Sequence, residues 1–364
     1  MSTFADNVMS EAGLAQLLLT RRPLIDVRSE IEFSKGAILH SINLPILNTE
    51  ERDMVGKQYN QKGEAAAIRL GLKLVSGSVK KERIASWVYF IKHVGAVALF
   101  CWRGGRRSEI AQQWLKEHGI EIPRVKGGYK AIRNRLLLSL EQAYQDLPLI
   151  VLSGRTGVGK TALIKTLRHV DLEKIARHRG SAFGSMQEPQ PRSATFENEL
   201  ALALLILGTG CQDPVIVEDE SRLIGAVSLP SNFFNKMSAS PLCVLEDSME
   251  NRIDRVFHEY VQAPLHQSVL SEPKALDSLK DVYLANVDRI KKKLGSERAS
   301  DIKKIVDSSF ERHKEKNDVS EHRIWIKQLL TDYYDPLYDY HIKLQSHRVV
   351  FRGDKKEVRE YLAV

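Results

Sequence analysis

The sequence predicts an α/β protein with two parallel-sheet domains and a charged, mainly helical C-terminal extension. Three observations lead there. Short apolar runs of strand length recur between segments of helical spacing: Leu24–Val27, Val97–Phe100, Leu149–Leu152, Val215–Val217 and Leu242–Leu245. Two of these runs feed glycine-bearing loops, FCWRGGRRSEI and LSGRTGVGKTA. Beyond about Met249 the pattern turns helical, with apolar positions spaced among dense Lys, Arg, Glu and Asp.

In chain order, Leu24–Val27 is a buried strand whose end is marked by Asp26 and Arg28. A long polar stretch, Tyr59–Ala67, leads into a helix-like run. The strand Val97–Phe100 delivers Cys101. Ser108–His118 then has helical spacing, with Ile110, Trp114 and Leu115 on one side and Gly119 as its stop. Leu136–Gln145 reads as a helix joining two domains, without a Gly/Ser linker. Leu149–Leu152 is the first strand of the second domain, and Ala162–Val170 (ALIKTLRHV) the helix after its loop. Asn198–Leu207 is apolar nearly all round, which predicts a helix buried on several sides, and Leu200–Leu207 is a candidate wall for an apolar pocket. Val349–Phe351 is a late strand and Asp354–Leu362 a final helix. The expected division is residues 1–136, residues 137–250, and a mainly helical region 251–364 whose late strand completes the second sheet.

Composition sets the class. The chain has 364 residues, 43% hydrophobic and 27% charged, the balance of a globular protein. No apolar run reaches membrane-span length, and MSTFADNVMSEAG lacks the build of a signal peptide, so a cytoplasmic protein is expected. Cys101, Cys211 and Cys243 are too few and too scattered for a disulfide framework or a zinc site, and Cys211 and Cys243 read as packing residues. A net charge of +8 points to a polyanionic partner.

The two loops carry the chemistry. A strand feeding Cys101, two glycines and a following helix build a nest of backbone N–H groups that stabilises a thiolate or an anionic chalcogen carried on it. Arg103, Arg106 and Arg107 add positive charge, and spacing alone leaves open whether Arg106 or Arg107 faces the cysteine. The second loop, Gly154 to Thr161, satisfies G-x-x-x-x-G-K-[ST] between a strand and a helix. Gly154, Thr156, Gly157, Gly159 and Lys160 are then residues that bind a di- or triphosphate, and Thr161 reaches Mg²⁺. Glu218-Asp219 and Glu246-Asp247, each at a strand end, are candidates for the metal shell.

The segment Leu24–Gly128 resembles the rhodanese superfamily, through Asp26-Val27-Arg28, Glu32-Phe33, Gly36-Ala37-Ile38, Asn43-Leu44-Pro45 and Cys101 at its strand end. This resemblance implies an N-terminal rhodanese-like domain whose cysteine carries sulfane sulfur, with Asp26 and Arg28 structural. A rhodanese-like loop followed by a P-loop NTPase-like domain is similar to the bacterial tRNA 2-selenouridine synthase family. Further matching segments are Gly63–Ile68 with Leu70-Gly71, His178–Gly184, Gln190–Ser193, Phe196–Asn198, Glu218–Arg222 and Tyr333–Tyr338. Arg106 departs from the family pattern, leaving Arg107 as the family arginine.

The family resemblance implies a transferase acting on the wobble 2-thiouridine of tRNA. The sulfur is geranylated from geranyl diphosphate, and selenium from selenophosphate then replaces the alkylated sulfur. On that reading Cys101 and Arg107 handle selenium, as a selenenylsulfide or by organising selenide attack. His178, Arg179, Arg192, Ser193 and Arg222 are candidate donor or substrate contacts together with Glu218 and Asp219. Trp102 or Tyr129 would stack on a splayed anticodon base, beside Arg103, Arg106, Lys130 and Arg133 as phosphate contacts. Two other readings stay open at this level: an RNA-stimulated NTPase or kinase fused to a sulfurtransferase, and a non-catalytic tRNA-binding regulator.

Overall fold

The structure, a computed structural model, describes residues 7–181, 188–208 and 213–363; Cys211 lies outside the described residues. It divides into two compact units, residues 1–146 with 191–211, and residues 147–190 with 212–364. Residues 191–208, which the sequence division assigns to the P-loop domain, thus pack in the first unit.

The first unit runs β1 (Val8–Met9), α1 (Glu11–Thr20), β2 (Leu24–Asp26), α2 (Glu30–Lys35), β3 (Ser41–Asn43), α3 (Thr49–Leu74), α4 (Gly77–Val94), β4 (Ala98–Phe100), α5 (Arg106–Glu117), β5 (Arg124–Val125) and α6 (Gly128–Asp146). Its five strands are parallel in the order β1-β5-β4-β2-β3. Ile25, Val27, Leu99, Ala111 and Leu115 form the centre of its core with Trp87. The polar stretch Tyr59–Ala67, read from the sequence only as leading into a helix-like run, lies within α3. It is helical, because only Gly63, at φ 77° and ψ −180°, breaks the α3 backbone. The two arms of α3 fold back on one another there: a Cβ on Gly71 would lie 3.7 Å from Cγ2 of Val55, sixteen residues away. Asn48 caps the first arm reciprocally with Glu51 (2.8 Å each way), and Glu51 also binds Arg83 of α4 at 2.7 and 2.9 Å.

The second unit begins with β6 (Leu149–Ser153), α7 (Lys160–Ile164), β7 (His169–Val170) and α8 (Leu172–Ala176). The chain then crosses to the first unit as α9 (Ser193–Leu207), and returns as β8 (Val215–Glu218), the hairpin β9 (Leu223–Ile224) and β10 (Val227–Ser228), α10 (Ser231–Ala239) and β11 (Leu242–Leu245). The helical region comprises α11 (Met249–Phe257), a π-helical turn His258–Gln262, α12 (Ala263–His266), α13 (Glu272–Leu294), α14 (Ser296–Lys316), α15 (His322–Leu329), a second π-helical turn Leu330–Tyr334 and α16 (Asp335–Leu344). β12 (Val349–Gly353) and α17 (Lys355–Leu362) end it. The second sheet, β12-β11-β6-β8-β7, is wholly parallel, and the late strand seen in the sequence is its edge.

The run ALIKTLRHV is not one helix. α7 closes after five residues through the short-range bonds Thr166 N–H to Leu163 O and Leu167 N–H to Ile164 O, and His169-Val170 becomes strand β7 beside β8. Helical apolar spacing misleads here because Val170 is buried by sheet pairing instead. α9 packs on α6, where Arg133 donates to Ala194 O (3.0 Å) and Asn198 Oδ1 (2.8 Å) and pairs with Glu197 at 2.6 Å. Leu200, Leu202 and Leu204 are consequently core residues of the first unit, which removes Leu200–Leu207 as a pocket wall in the P-loop unit. The C-terminal helices enclose a separate core containing Val261, Tyr283, Val287, Phe310, Trp325 and Ile326.

The Cys101 loop is seated on the start of α6: Tyr129 N–H donates to Cys101 O at 2.8 Å and Lys130 N–H to Trp102 O at 3.1 Å. A Cβ on Gly128, whose φ is 57°, would lie 2.2 Å from Cys101 O and 2.5 Å from Gly104 N. Gly128→Ala should therefore destabilise the first unit by about 3 kcal/mol in urea unfolding.

Candidate functional site

Each candidate loop lies at the carboxyl end of a central parallel strand, where backbone N–H groups from the loop and next helix converge. In the first unit, β4 ends at Phe100 and α5 begins at Arg106, so the loop between them is short and held at both ends. Cys101 is buried, with Sγ 3.3 Å from Ser108 Oγ and 3.8 Å from Gly105 O. The structure settles the arginine. Arg106 points outward, its side chain 65% exposed and paired with Glu64 and Glu109. Arg107, 23% exposed, makes a two-pronged pair with Glu32 at 2.5 and 3.0 Å. Burial opposes the charge on Arg107, but Glu32 first, then Cys101 and Asp26, raise its pKa, which places Cys101 within its electrostatic reach.

The floor of this site is a buried ion pair. Arg28 binds both Asp26 oxygens and Gly36 O (2.8 Å), and its guanidinium lies 3.8 Å from the Tyr129 ring centroid. Trp102 stacks on Tyr129 at 5.2 Å between centroids. Tyr129 is 3% exposed, which corrects its assignment as a base-stacking residue: it is the platform on which Trp102, 38% exposed, rests. Arg133 is likewise corrected, since its guanidinium is committed to α9. Arg103 and Lys130 are exposed next to the loop.

In the second unit, Lys160 Nζ donates to Gly154 O at 2.9 Å. Burial opposes its charge, but Tyr338, Glu218, Glu220 and Glu173 together raise its pKa. The loop is clamped from behind by α11. Arg252 Nε donates to Thr156 O at 2.9 Å while the rest of its guanidinium pairs with Asp335, and Arg255 donates to Gly157 O at 2.5 Å. Tyr338 brings its ring within 5.4 Å of Lys160. The Tyr334–Tyr338 segment thus has an evident part in the site that no residue spacing announced.

Glu173, Glu218 and Glu220 bring carboxylate oxygens within 4.8 Å of one another, and Thr161 Oγ1 lies 3.5 Å from Glu173 Oε2. Burial and mutual repulsion raise Glu173 to about 9 and Glu220 to about 8, and Glu218 Oε1 is buried without a hydrogen-bond partner. Oxygen ligands of this kind beside a P-loop threonine suit Mg²⁺. The other acidic candidates do not join them. Asp219 accepts from Ser153 at 2.6 Å and faces His341 and Arg348, while Glu246 pairs with Arg352 and Asp247 with Arg255. Sequence reasoning missed Glu173 because it stands in no motif; Glu220 was visible in EDESR but unassigned.

The remaining candidates separate. His178 is packed against Gly225 and Gln190, and burial lowers its pKa. Arg179 donates to Glu259 O (2.8 Å) and lies over Tyr260. Arg222 is exposed and bonded to Ser231. Arg192 and Ser193 are exposed at the start of α9 in the first unit. Cys243 is buried in β11, where burial pushes its thiol up to about 11, so it is a packing residue.

Two expectations follow from these charges. Burial disfavours ionised Glu32, but Arg107 outweighs it and lowers the pKa from 4.5 to about 2. A depressed carboxyl adds stability above its unfolded value and loses it as pH falls through the folded one. Glu32→Gln should therefore lower the urea midpoint at pH 7, with the difference from the native chain closing between about pH 4.5 and pH 2. Millimolar Mg²⁺ should raise the Tm of the native chain by about 2–4 °C and leave Glu218→Gln unmoved.

Comparison with known proteins agrees with both halves. Residues 10–135 match the family model described as rhodanese-like domain, and residues 147–364 match that described as tRNA 2-selenouridine synthase AAA domain. The chain is similar to the tRNA 2-selenouridine synthases of Shewanella frigidimarina (41% identical over 358 residues, 98% of each chain) and Shewanella denitrificans (42%, same coverage). It is also similar to that of a Sulfurovum species, at 43% over 362 residues, covering 98% of this chain and 99% of the relative. This agreement spans both units and both loops, and the chain belongs to the tRNA 2-selenouridine synthase family.

Proposed function

We propose that the protein is a transferase that converts wobble 2-thiouridine in tRNA to 2-selenouridine through an S-geranylated intermediate, using geranyl diphosphate and selenophosphate. The observation that carries this reading is the presence, in one chain, of a cysteine loop with Arg107, held by Glu32, within electrostatic reach of the thiol and a P-loop with an acidic cluster beside Lys160. It acts in the cytoplasm; among the described residues no helix is long and apolar enough to cross a membrane.

In the first step the 2-thio sulfur attacks C1 of the geranyl group. A carbon–sulfur bond forms, the carbon–oxygen bond to diphosphate breaks, and pyrophosphate leaves with the electron pair. Lys160 and the loop amides would hold the diphosphate and stabilise the charge gathering on it. Thr161 with Glu173, Glu218 and Glu220 would hold Mg²⁺, which supplies further neutralisation of the diphosphate. In the second step selenium at oxidation state −II, released from selenophosphate as its phosphoryl group passes to water, attacks C2 of the base. The carbon–selenium bond forms, the carbon–sulfur bond breaks, and geranylthiolate leaves and takes a proton. Cys101, Ser108 and Arg107 position the selenium nucleophile. This version needs no external reductant, whereas a selenenylsulfide on Cys101 would. Trp102, Arg103, Arg106 and Lys130 supply the surface on which the anticodon stem rests.

Nucleoside mass spectrometry tests the scheme. With 2-thiouridine tRNA, geranyl diphosphate and selenophosphate, the native chain should yield selenouridine. Cys101→Ala should accumulate the S-geranyl nucleoside, and Lys160→Ala should lose both products by at least about 100-fold. Equal loss of both steps in a folded Cys101→Ala protein would refute this division.

A further inference from the structure

The hairpin made by α3 has a consequence for the substrate. Its two arms and the first turns of α5 enclose a cavity of about 650 Å³, counting the space open to solvent. Val55 and Tyr59 come from the first arm, Ala67 and Leu72 from the second, and Ile110 and Trp114 from α5. Tyr59 and Leu72 are 55% and 44% exposed, an unusual placement for large apolar side chains facing one opening. Arg106 and Arg107, the first residues of α5 after the Cys101 loop, also line it, with Glu64 of α3. Its floor is continuous with the core cluster that contains Cys101, Ala111 and Trp114.

Charge at the mouth limits what sits there. Arg107 is matched by Glu32, and Arg106 by Glu64 and Glu109, so the two guanidinium groups are already neutralised. A multiply charged headgroup would meet no surplus positive charge. A neutral thioether would fit there. The apolar lining beyond it calls for an aliphatic chain several carbons long.

We propose that this cavity holds the hydrocarbon chain carried on the 2-sulfur of the nucleoside during selenium exchange. It rests on the reading above that the sulfur is alkylated before it is replaced, and it adds where the chain lies and why exchange discriminates by chain length. The Gly63 turn is then part of the specificity device, because without it Val55 and Leu72 could not face one cavity.

The test uses the full chain and two anticodon stem-loops, one bearing S-geranyl-2-thiouridine and one S-methyl-2-thiouridine. Fluorescence anisotropy gives Kd for each, and mass spectrometry follows product formation in parallel. Each CH₂ buried contributes about 0.8 kcal/mol, so partial burial of the longer chain should favour the geranyl stem-loop by at least about tenfold. Leu72→Glu, which alters an exposed wall residue, and Ala67→Phe, which fills the cavity, should bring that ratio close to one while leaving the S-methyl Kd unchanged. A native chain that makes selenouridine but shows no chain-length preference, or variants that keep the native preference, would overturn the cavity assignment alone. A native chain that forms neither the geranyl nor the selenium product would overturn the reading on which it rests.

Discussion

The pair between Arg107 and Glu32 organises the first unit. An arginine beside a buried thiol would otherwise be free to swing into solvent, and the bidentate geometry at 2.5 and 3.0 Å fixes it instead. Glu32 is in turn held by Ser29, whose N–H and hydroxyl both donate to it at the start of α2. The cation is thus set by the strand-to-helix corner that follows Arg28, the same corner that the buried Asp26–Arg28 pair anchors. Loop, cation and stacking platform are consequences of one local arrangement. Losing Glu32 would leave Arg107 without the partner that fixes its guanidinium.

The second unit answers a different electrostatic demand. Lys160 must stay charged in a half-buried setting, and three carboxyls supply that at the cost of repelling one another. Their raised pKa values show that the cluster is unfavourable as three anions and is relieved by protons or a divalent cation. The helical C-terminal region then has a physical role beyond bulk. Arg252, held by Asp335, and Arg255 bind the P-loop carbonyls of Thr156 and Gly157 and so fix the loop from the helical side.

Much of this was legible in the sequence. Both loops, their flanking strands and the late edge strand follow from short apolar runs ending in glycine-bearing segments. The choice between Arg106 and Arg107 was not, because adjacent residues on a helix project about 100° apart and only tertiary packing decides which one turns inward. α9 was misassigned for a related reason: NELALALLIL is apolar all round, so its pattern says that it is buried without saying in which unit. The folded-back α3 hid behind a polar surface, its single signal being a glycine inside a helical run. Glu173 lies nine residues beyond Ile164, the end of α7, and has no spacing rule to expose it. Tyr129 and Arg133 read as surface groups by type, whereas burial by α9 made them structural.

The central claim is that two loops in one chain perform two separable reactions. It is tested most directly by mixing two proteins that each lack one loop's function, Cys101→Ala and Lys160→Ala, with 2-thiouridine tRNA and both donors. The account predicts that selenouridine forms in the mixture although neither protein alone makes it, because geranylated tRNA released by the first is a substrate for the second. Two folded proteins that fail to complement one another while geranylated tRNA accumulates would contradict it.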